Sequence, residues 1–396
     1  MLSVMFISLI YDTPFSTRDY VVKENLLSEI NGILFFIDEY AINHVMASVK
    51  KPVVAIIHGI TMGGGVGASV HFPFRIATET TLFAMPETLI GLFPDVGASF
   101  FLSRLDSQVG TYLGLTGTRI SGKDVFYTGI ATHYVHSKHL PEIERRLAQA
   151  KTSSHDEVNA IIEEFVDKDS GDYKNNTSYT LAPYLDAINR CFGFNTLEEI
   201  FEALESETEK KDWARNTLKI LKQMSPSSLK ITLEMVRRGK NMSIKQCFNM
   251  EGHIAAKIIK TNDFNEGVSE LLIRKTKNPK FIPPTIYGVS KEEIVEKYFE
   301  KTDPMFNIKF RSEVDFYEYP HKKYTLPNEA DVMKFVGNSI DVLNSNPKSH
   351  VLTAEMIVEH FDRLYNHKAG VKEKVWDIVT RCSSISQNLK PALSKL

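Results

Sequence analysis

Two carboxylates and a run of glycines are the residues of this sequence best suited to chemistry. Glu87 and Asp95 stand eight residues apart in Met85-Pro-Glu-Thr-Leu-Ile-Gly-Leu-Phe-Pro-Asp-Val-Gly97. Their neighbours Leu89, Ile90, Leu92 and Phe93 are apolar. Desolvation raises one carboxyl's pKa while a partner stays ionised, the unequal pair that acid–base work uses. A Glu capping a local turn and an Asp solvated in a loop would leave the same pattern. The glycines sit in His58-Gly-Ile-Thr-Met-Gly-Gly-Gly-Val-Gly67. Adjacent glycines let backbone N–H groups approach a ligand without Cβ interference. A helix starting there adds unpaired donors and a positive dipole end. The Gly64 N–H is the candidate donor of an oxyanion hole; losing such a donor typically costs about 3–4 kcal/mol in the transition state. A tight strand-to-helix packing turn has the same spacing. Met62-Gly-Gly-Gly-Val-Gly67 is not a dinucleotide fingerprint, for it lacks the GxGxxG spacing and a ribose-binding acid downstream. His58 and His71 have no Ser or Cys nucleophile marked beside them and read as core histidines with satisfied hydrogen bonds.

These groups need elements to hold them. Pro52-Val-Val-Ala-Ile-Ile57 reads as a buried strand running into the glycine segment, and Ala68–His71 can continue a helix from it. A helix over 22–48 precedes it, with Ile33, Ile37, Tyr40, Ala41 and Val45 on one stripe and Phe35, Ile42 and Met46 on another. A helix apolar on nearly every face belongs inside a protein. Glu39 lies on the second stripe, so it is either near water at the helix end or buried for a purpose. Short strands are expected at Phe74–Thr78 and Thr81–Ala84, followed by a Pro/Gly-rich loop over 85–97 and a mostly helical stretch from Ser99 to about Asn278. Ser290-Lys-Glu-Glu293 is a capping box. Residues 303–328 read as a linker or surface arm, and helices are expected over about 328–344, 353–366 and 369–381.

Composition bounds the function. The chain has 396 residues, a formal net charge of −2 and 43% hydrophobic content, ordinary for a soluble globular protein. That charge gives no reason to expect nucleic acid or an acidic membrane as partner, although a local basic pocket remains open to a phosphate-bearing ligand. Cys191, Cys247 and Cys382 are scattered, which argues for a reducing compartment and against structural zinc. No apolar run approaches a membrane span. Met1–Ile10 lacks the features of a mitochondrial transit peptide or a secretory signal.

Taken together, the glycine segment, Phe83-Ala-Met-Pro-Glu-Thr88 and Gly91-Leu-Phe-Pro-Asp-Val-Gly97 resemble the diagnostic blocks of the 3-hydroxyisobutyryl-CoA hydrolase family, within the crotonase superfamily. Leu115–Arg119, Gly129–His133, Met224–Thr232 and Asp263–Gly267 extend the resemblance over about residues 22 to 300. It implies an α/β fold: a crotonase-like spiral of ββα units with a helical C-terminal region. It implies a thioesterase of valine catabolism, mitochondrial, acting on an acyl-CoA. No cofactor and no metal are expected, coenzyme A being part of the substrate. By the same resemblance Gly64 would donate to the thioester oxygen, Glu87 would be nucleophile or general base, Asp95 would bind the substrate hydroxyl and aid proton transfer, and Glu39 would line the substrate pocket. Enoyl-CoA hydratases and isomerases, a further alternative, place a second catalytic Glu two residues after the triplet, which is Gly67 here. They also carry Gly where this chain has Asp95.

Two departures set further expectations. Family members carry earlier strands and an Ala-Gly-Gly-Asp-like loop, and Met1–Tyr20 contains no glycine. The spiral core over 1–125 is therefore expected to lack its first strands, through an N-terminally incomplete chain or a loss of catalytic competence. A helical part over 126–300 should follow, and then a helical extension over 301–396. That extension resembles longer fungal members, some of which belong to the mitochondrial small ribosomal subunit. This leaves a non-catalytic ribosomal component as the alternative function. Association with a mitochondrial ribosome or with copies of itself stays open, with no membrane and no direct nucleic-acid contact.

Overall fold

The computed structural model describes residues 5–11, 29–167, 172–345 and 352–382. Its sheet is built around β2 (Val53–Met62), whose first residues, Val53 to Ile57, are almost wholly buried. A continuous run of β-branched and aliphatic residues suits a strand covered on both faces. β1 (Met5–Tyr11) and β3 (Phe74–Ala77) flank the first half of β2, both parallel to it. Beyond Gly59 the partner changes, and Ile60–Met62 pair in parallel with β4 (Leu82–Ala84). Gly59 has φ +87°, a region that only glycine enters freely, so the strand turns there from one set of neighbours to another. β5 (Ile120–Ser121) is antiparallel to β4, and β6 (His133–Tyr134) is parallel to β3.

The α/β architecture is the one the resemblance implies, with two corrections in its opening elements. One strand that was not among those expected stands before the first helix: β1 pairs with β2 from Met5↔Val53 to Tyr11↔Gly59. That helix, α1, runs Glu29–Ser48, and its expected residues 22–28 lie outside the described residues. It is also not buried all round. Ile33, Phe36, Tyr40, Ala41 and Ala47 are buried, whereas Ile30, Leu34 and Ile42 stand about half-exposed. After the glycines, α2 is one turn, Gly64–Gly67, and does not continue through His71. The Ser69 hydroxyl bonds back to the Gly65 and Val66 carbonyls, and Pro73 follows closely, a residue unable to extend a helix.

Helices then dominate as expected, the exceptions being β5 and β6, each two residues long and too short to leave a periodic trace. Those that matter for the site are α3 (Ala98–Phe101), α4 (Val109–Thr116), α5 (Pro226–Gly239) and α6 (Ile244–Ile258). The Ser290/Glu293 capping box forms in both directions. The extension carries α7 (Glu329–Ser345), α8 (Ala354–Leu364) and α9 (Val371–Arg381).

Residues 303–328 are not a loose linker. The Phe306 ring packs where Gly252 of α6 has no side chain, and a Cβ there would fall 1.8 Å from it. The Ile244 N–H donates to the Phe316 carbonyl at 3.0 Å, and the His44 ring bonds the Val314 carbonyl at 2.9 Å. The aromatic anchors of this arm recur with no helical or strand period, so the pattern gave no sign of burial. One cluster of buried side chains runs from Ile33 to Val379. The extension also buries two lysines in the body: Lys374 meets Asp106 at 2.5 Å and the Tyr127 carbonyl at 3.0 Å, and Lys368 pairs with Glu163, which also meets His133 at 3.1 Å.

Candidate active site

Glu87 opens a 3-10 turn, Glu87–Ile90, set by Pro86 before it and closed by Gly91 at φ +74°. Gly91 is held against the backbone of Asp263, whose carbonyl oxygen would lie 2.2 Å from an added Cβ. The Ser225 N–H donates to the Thr88 carbonyl at 3.1 Å, fixing the turn to the start of α5. Glu87 is buried, and its Oε2 has no hydrogen-bond partner. It lines a cavity of about 1080 Å³ together with Gly63 and Gly65. Lys222, Lys277 and Lys280 add positive charge to the same wall. Because α2 begins at Gly64, the N–H groups of Gly64 and Gly65 have no acceptor within the helix.

Behind this wall α1 runs beside the glycines. A Cβ on Gly64 would meet Glu39 Oε1 at 3.2 Å, and one on Gly67 would fall 2.7 Å from the Val96 Cβ and 3.1 Å from Asn43 Nδ2. Only glycine fits at 67, so a glutamate has no room there without moving Val96. Asp95 is buried, and the Tyr40 hydroxyl donates to its Oδ2 at 2.9 Å. The turn after Asp95 is strained, with Val96 at φ +53° and Gly97 at φ +86°; a β-branched residue in that region is a genuine outlier. His71 and Glu251 hold the turn. The His71 Nε2–H donates to the Val96 carbonyl at 2.7 Å, while the Gly97 and Ser99 N–H groups donate to the Glu251 carboxylate at 2.7 and 2.8 Å.

The three acids act on one another. Burial, then the Asp95 charge, lifts Glu39 to about 8. Burial, then Asp95, also pushes Glu87 well above the usual carboxylate range. Burial raises Asp95 only to about 6, because the Tyr40 hydrogen bond favours its ionised form. Asp95 therefore ionises first, leaving a charged acid beside a protonated one. His71 is pushed down to about 4 by burial, so it is neutral and carries its proton on the nitrogen facing Val96.

The structure thus brings Glu39, Gly64, Glu87 and Asp95 into one neighbourhood. Glu87 is on the cavity wall; Glu39 and Asp95 reach it through charge. His58 bonds to the hydroxyls of Thr78 and Thr80 and lies apart from the acids. Sequence reasoning missed Tyr40, which sat among apolar positions of α1, and Glu251, which lies 154 residues from Gly97 along the chain. For Tyr40 a signal existed, since it directly follows Glu39. Among the described residues no cluster of His, Cys, Asp and Glu suits a metal ion, and no helix is long and apolar enough to cross a membrane.

Comparison with known proteins gives four findings. The family described as enoyl-CoA hydratase/isomerase matches residues 20–299. "Small ribosomal subunit protein mS47" of Neurospora crassa is 41% identical over 361 residues, covering 87% of this chain and 68% of the relative. "3-hydroxyisobutyryl-CoA hydrolase, mitochondrial" of Homo sapiens is 43% identical over 266 residues, covering 66% of this chain and 67% of the relative. Among solved structures, a carnitinyl-CoA dehydratase from Mycobacterium thermoresistibile superimposes with a TM-score of 0.62 at 31% identity, covering 75% of this chain and 80% of that one.

Proposed function

Because the chain belongs to the enoyl-CoA hydratase/isomerase family, we propose that it is a mitochondrial acyl-CoA thioester hydrolase. Its substrate is 3-hydroxyisobutyryl-CoA, which with water gives 3-hydroxyisobutyrate and free CoA, a step of valine catabolism. The observation that carries this reading is Glu87. Its Oε2 is buried without a partner on the wall of an apolar-lined cavity that it shares with Gly63 and Gly65.

The Gly64 N–H takes the charge that develops on the thioester oxygen. Glu87 acts in its ionised form, reached once its proton has been lost to solvent, and delivers the attack on the carbonyl carbon as nucleophile or as the base that takes a proton from water. Asp95, ionised and steadied by Tyr40, accepts from the substrate hydroxyl and helps move the proton toward the departing thiolate. Glu39 stands beside Gly64, behind the cavity wall, as a substrate contact. Lys222, Lys277 and Lys280 suit the phosphates of the CoA portion as point charges. No metal or further cofactor enters this scheme. The crowding at Gly67 supports hydrolysis over hydration, which would need a second acid there.

Release of free CoA from 3-hydroxyisobutyryl-CoA tests the reading. Glu87→Gln should lower kcat by about 10²–10⁴-fold while binding of CoA itself changes little. Turnover that survives the substitution would sink the mechanism.

A second reading is favoured by coverage. The match to the ribosomal relative spans 87% of this chain, against 66% for the human hydrolase, and so extends past residue 299, where the family match ends. On this reading the chain is a component of the mitochondrial small ribosomal subunit and docks through its extension. Sedimentation with small subunits that is lost when exposed residues of α7–α9 are changed would support it; free protein throughout a gradient would dismiss it. One protein can hold both roles.

A further inference from the structure

We propose that Glu251 is a positioning residue, a clamp on the turn from Asp95 to Ser99 that sets where the Asp95 carboxylate stands; the proposal rests on the hydrolase reading above. Glu251 lies on α6 and is fully buried. Its two oxygens take three hydrogen bonds from the turn: one from the Gly97 N–H, one from the Ser99 N–H and one from the Ser99 hydroxyl. Those N–H groups open α3, a four-residue helix with no side-chain cap of its own, so Glu251 supplies from a distance what an N-cap residue would supply locally.

The turn needs holding. Val96 and Gly97 both sit at positive φ, and a strained conformation persists only where its surroundings over-determine it. A core helix had less demanding choices for that position. An apolar residue would fill the space without the penalty of burying a carboxyl, which here lifts Glu251 to about 8. The pattern of contacts explains why an acid stands there: every group it meets in the turn is a donor. Tyr40 fixes the Asp95 side chain, His71 fixes the Val96 carbonyl, and Glu251 fixes the two N–H groups beyond. Asp95 is thus fixed from its side chain and from the backbone after it, while Glu251 itself does not line the cavity.

The test is a double-mutant cycle on CoA release. Glu251→Gln keeps volume but turns one acceptor oxygen into a donor facing an N–H. It should lower kcat about 10–100-fold with KM for the thioester within about threefold. In an Asp95→Asn background the same change should cost less than about twofold, since both lesions strike one device. Additive losses in the cycle would overturn the proposal, as would a Glu251→Gln enzyme with full activity. Ser99→Ala is the milder second variant, removing one donor and leaving the Glu251 carboxyl in place; its effect should be smaller than that of Glu251→Gln and should likewise vanish beside Asp95→Asn. Hydrogen exchange at the Gly97 and Ser99 amides is read on the same proteins and needs no turnover. Exchange about tenfold faster or more in Glu251→Gln is expected, and unchanged protection overturns the clamp. A wild-type chain that releases no CoA defeats the hydrolase reading instead, and the exchange data still decide the clamp.

Discussion

Tyr40 shows how one hydroxyl apportions charge among three acids. Its bond to Asp95 helps hold Asp95 to about 6, while burial and the Asp95 charge carry Glu39 to about 8. Tyr40→Phe should therefore raise the Asp95 pKa, moving the acid limb of the kcat/KM profile to higher pH; an unmoved limb would show that Asp95 is not the group observed. The same shifts bear on stability. Glu39 and Glu251, both at about 8, keep a proton in the folded chain that the unfolded chain gives up near 4.5, so stability falls as pH rises between those values. His71 and His133, held near 4, act oppositely between 4 and 6.5. Above 6.5 the two acids alone of these four still titrate, so Tm should decline from pH 6.5 to pH 8, and Glu39→Gln should flatten that decline. Much of this was legible in part. The loop around Glu87 and Asp95 announced desolvated acids, but eight residues of spacing could not say that each would feel the other's charge. Glu251 could not be read at all, because nothing local ties α6 to Gly97. At Gly67 the sequence showed a missing acid, and the structure adds that Val96 and Asn43 occupy its space. Gly67→Glu should accordingly yield no hydratase and lower stability by about 1–3 kcal/mol through overpacking, measured by urea denaturation.

Elements were legible where a period or a cap marked them. β2 declared itself through an unbroken aliphatic run, and the Ser290/Glu293 box marked a helix start that forms as written. The helices of the extension fell close to their expected limits for the same reason. What escaped were features set by partners. Gly59 lets β2 change neighbours midway, and β5 and β6 exist only because longer strands lie beside them. The arm over 303–328 escaped because its anchors follow the grooves of α1 and α6. Gly252 is the most sensitive point of that contact. Gly252→Ala places a Cβ 1.8 Å from the Phe306 ring, and about 1–3 kcal/mol of overpacking should result. If α6 shifts to relieve it, Glu251 shifts too, and CoA release should fall along with stability.

For the whole molecule, the extension is part of the body. Lys374 is 3% exposed and sits against Asp106, so Lys374→Met leaves a largely covered carboxylate without its cation. Breaking a buried pair from one side typically costs about 3–5 kcal/mol, and a urea midpoint displaced by much less would mean that water reaches Asp106. Val332, Ile357, Val358, Val375 and Ile378 join the cluster that holds Ile33 and Phe93. Such an arrangement governs how the protein is made as well as how it stands. Chains grow from the N-terminus and domains generally fold as they emerge, yet here Phe126 and Tyr127 meet Gly370 and Lys374, which are translated well after them. Until that segment clears the exit tunnel these contacts cannot form, so the body reaches its final packing only when the extension has been made.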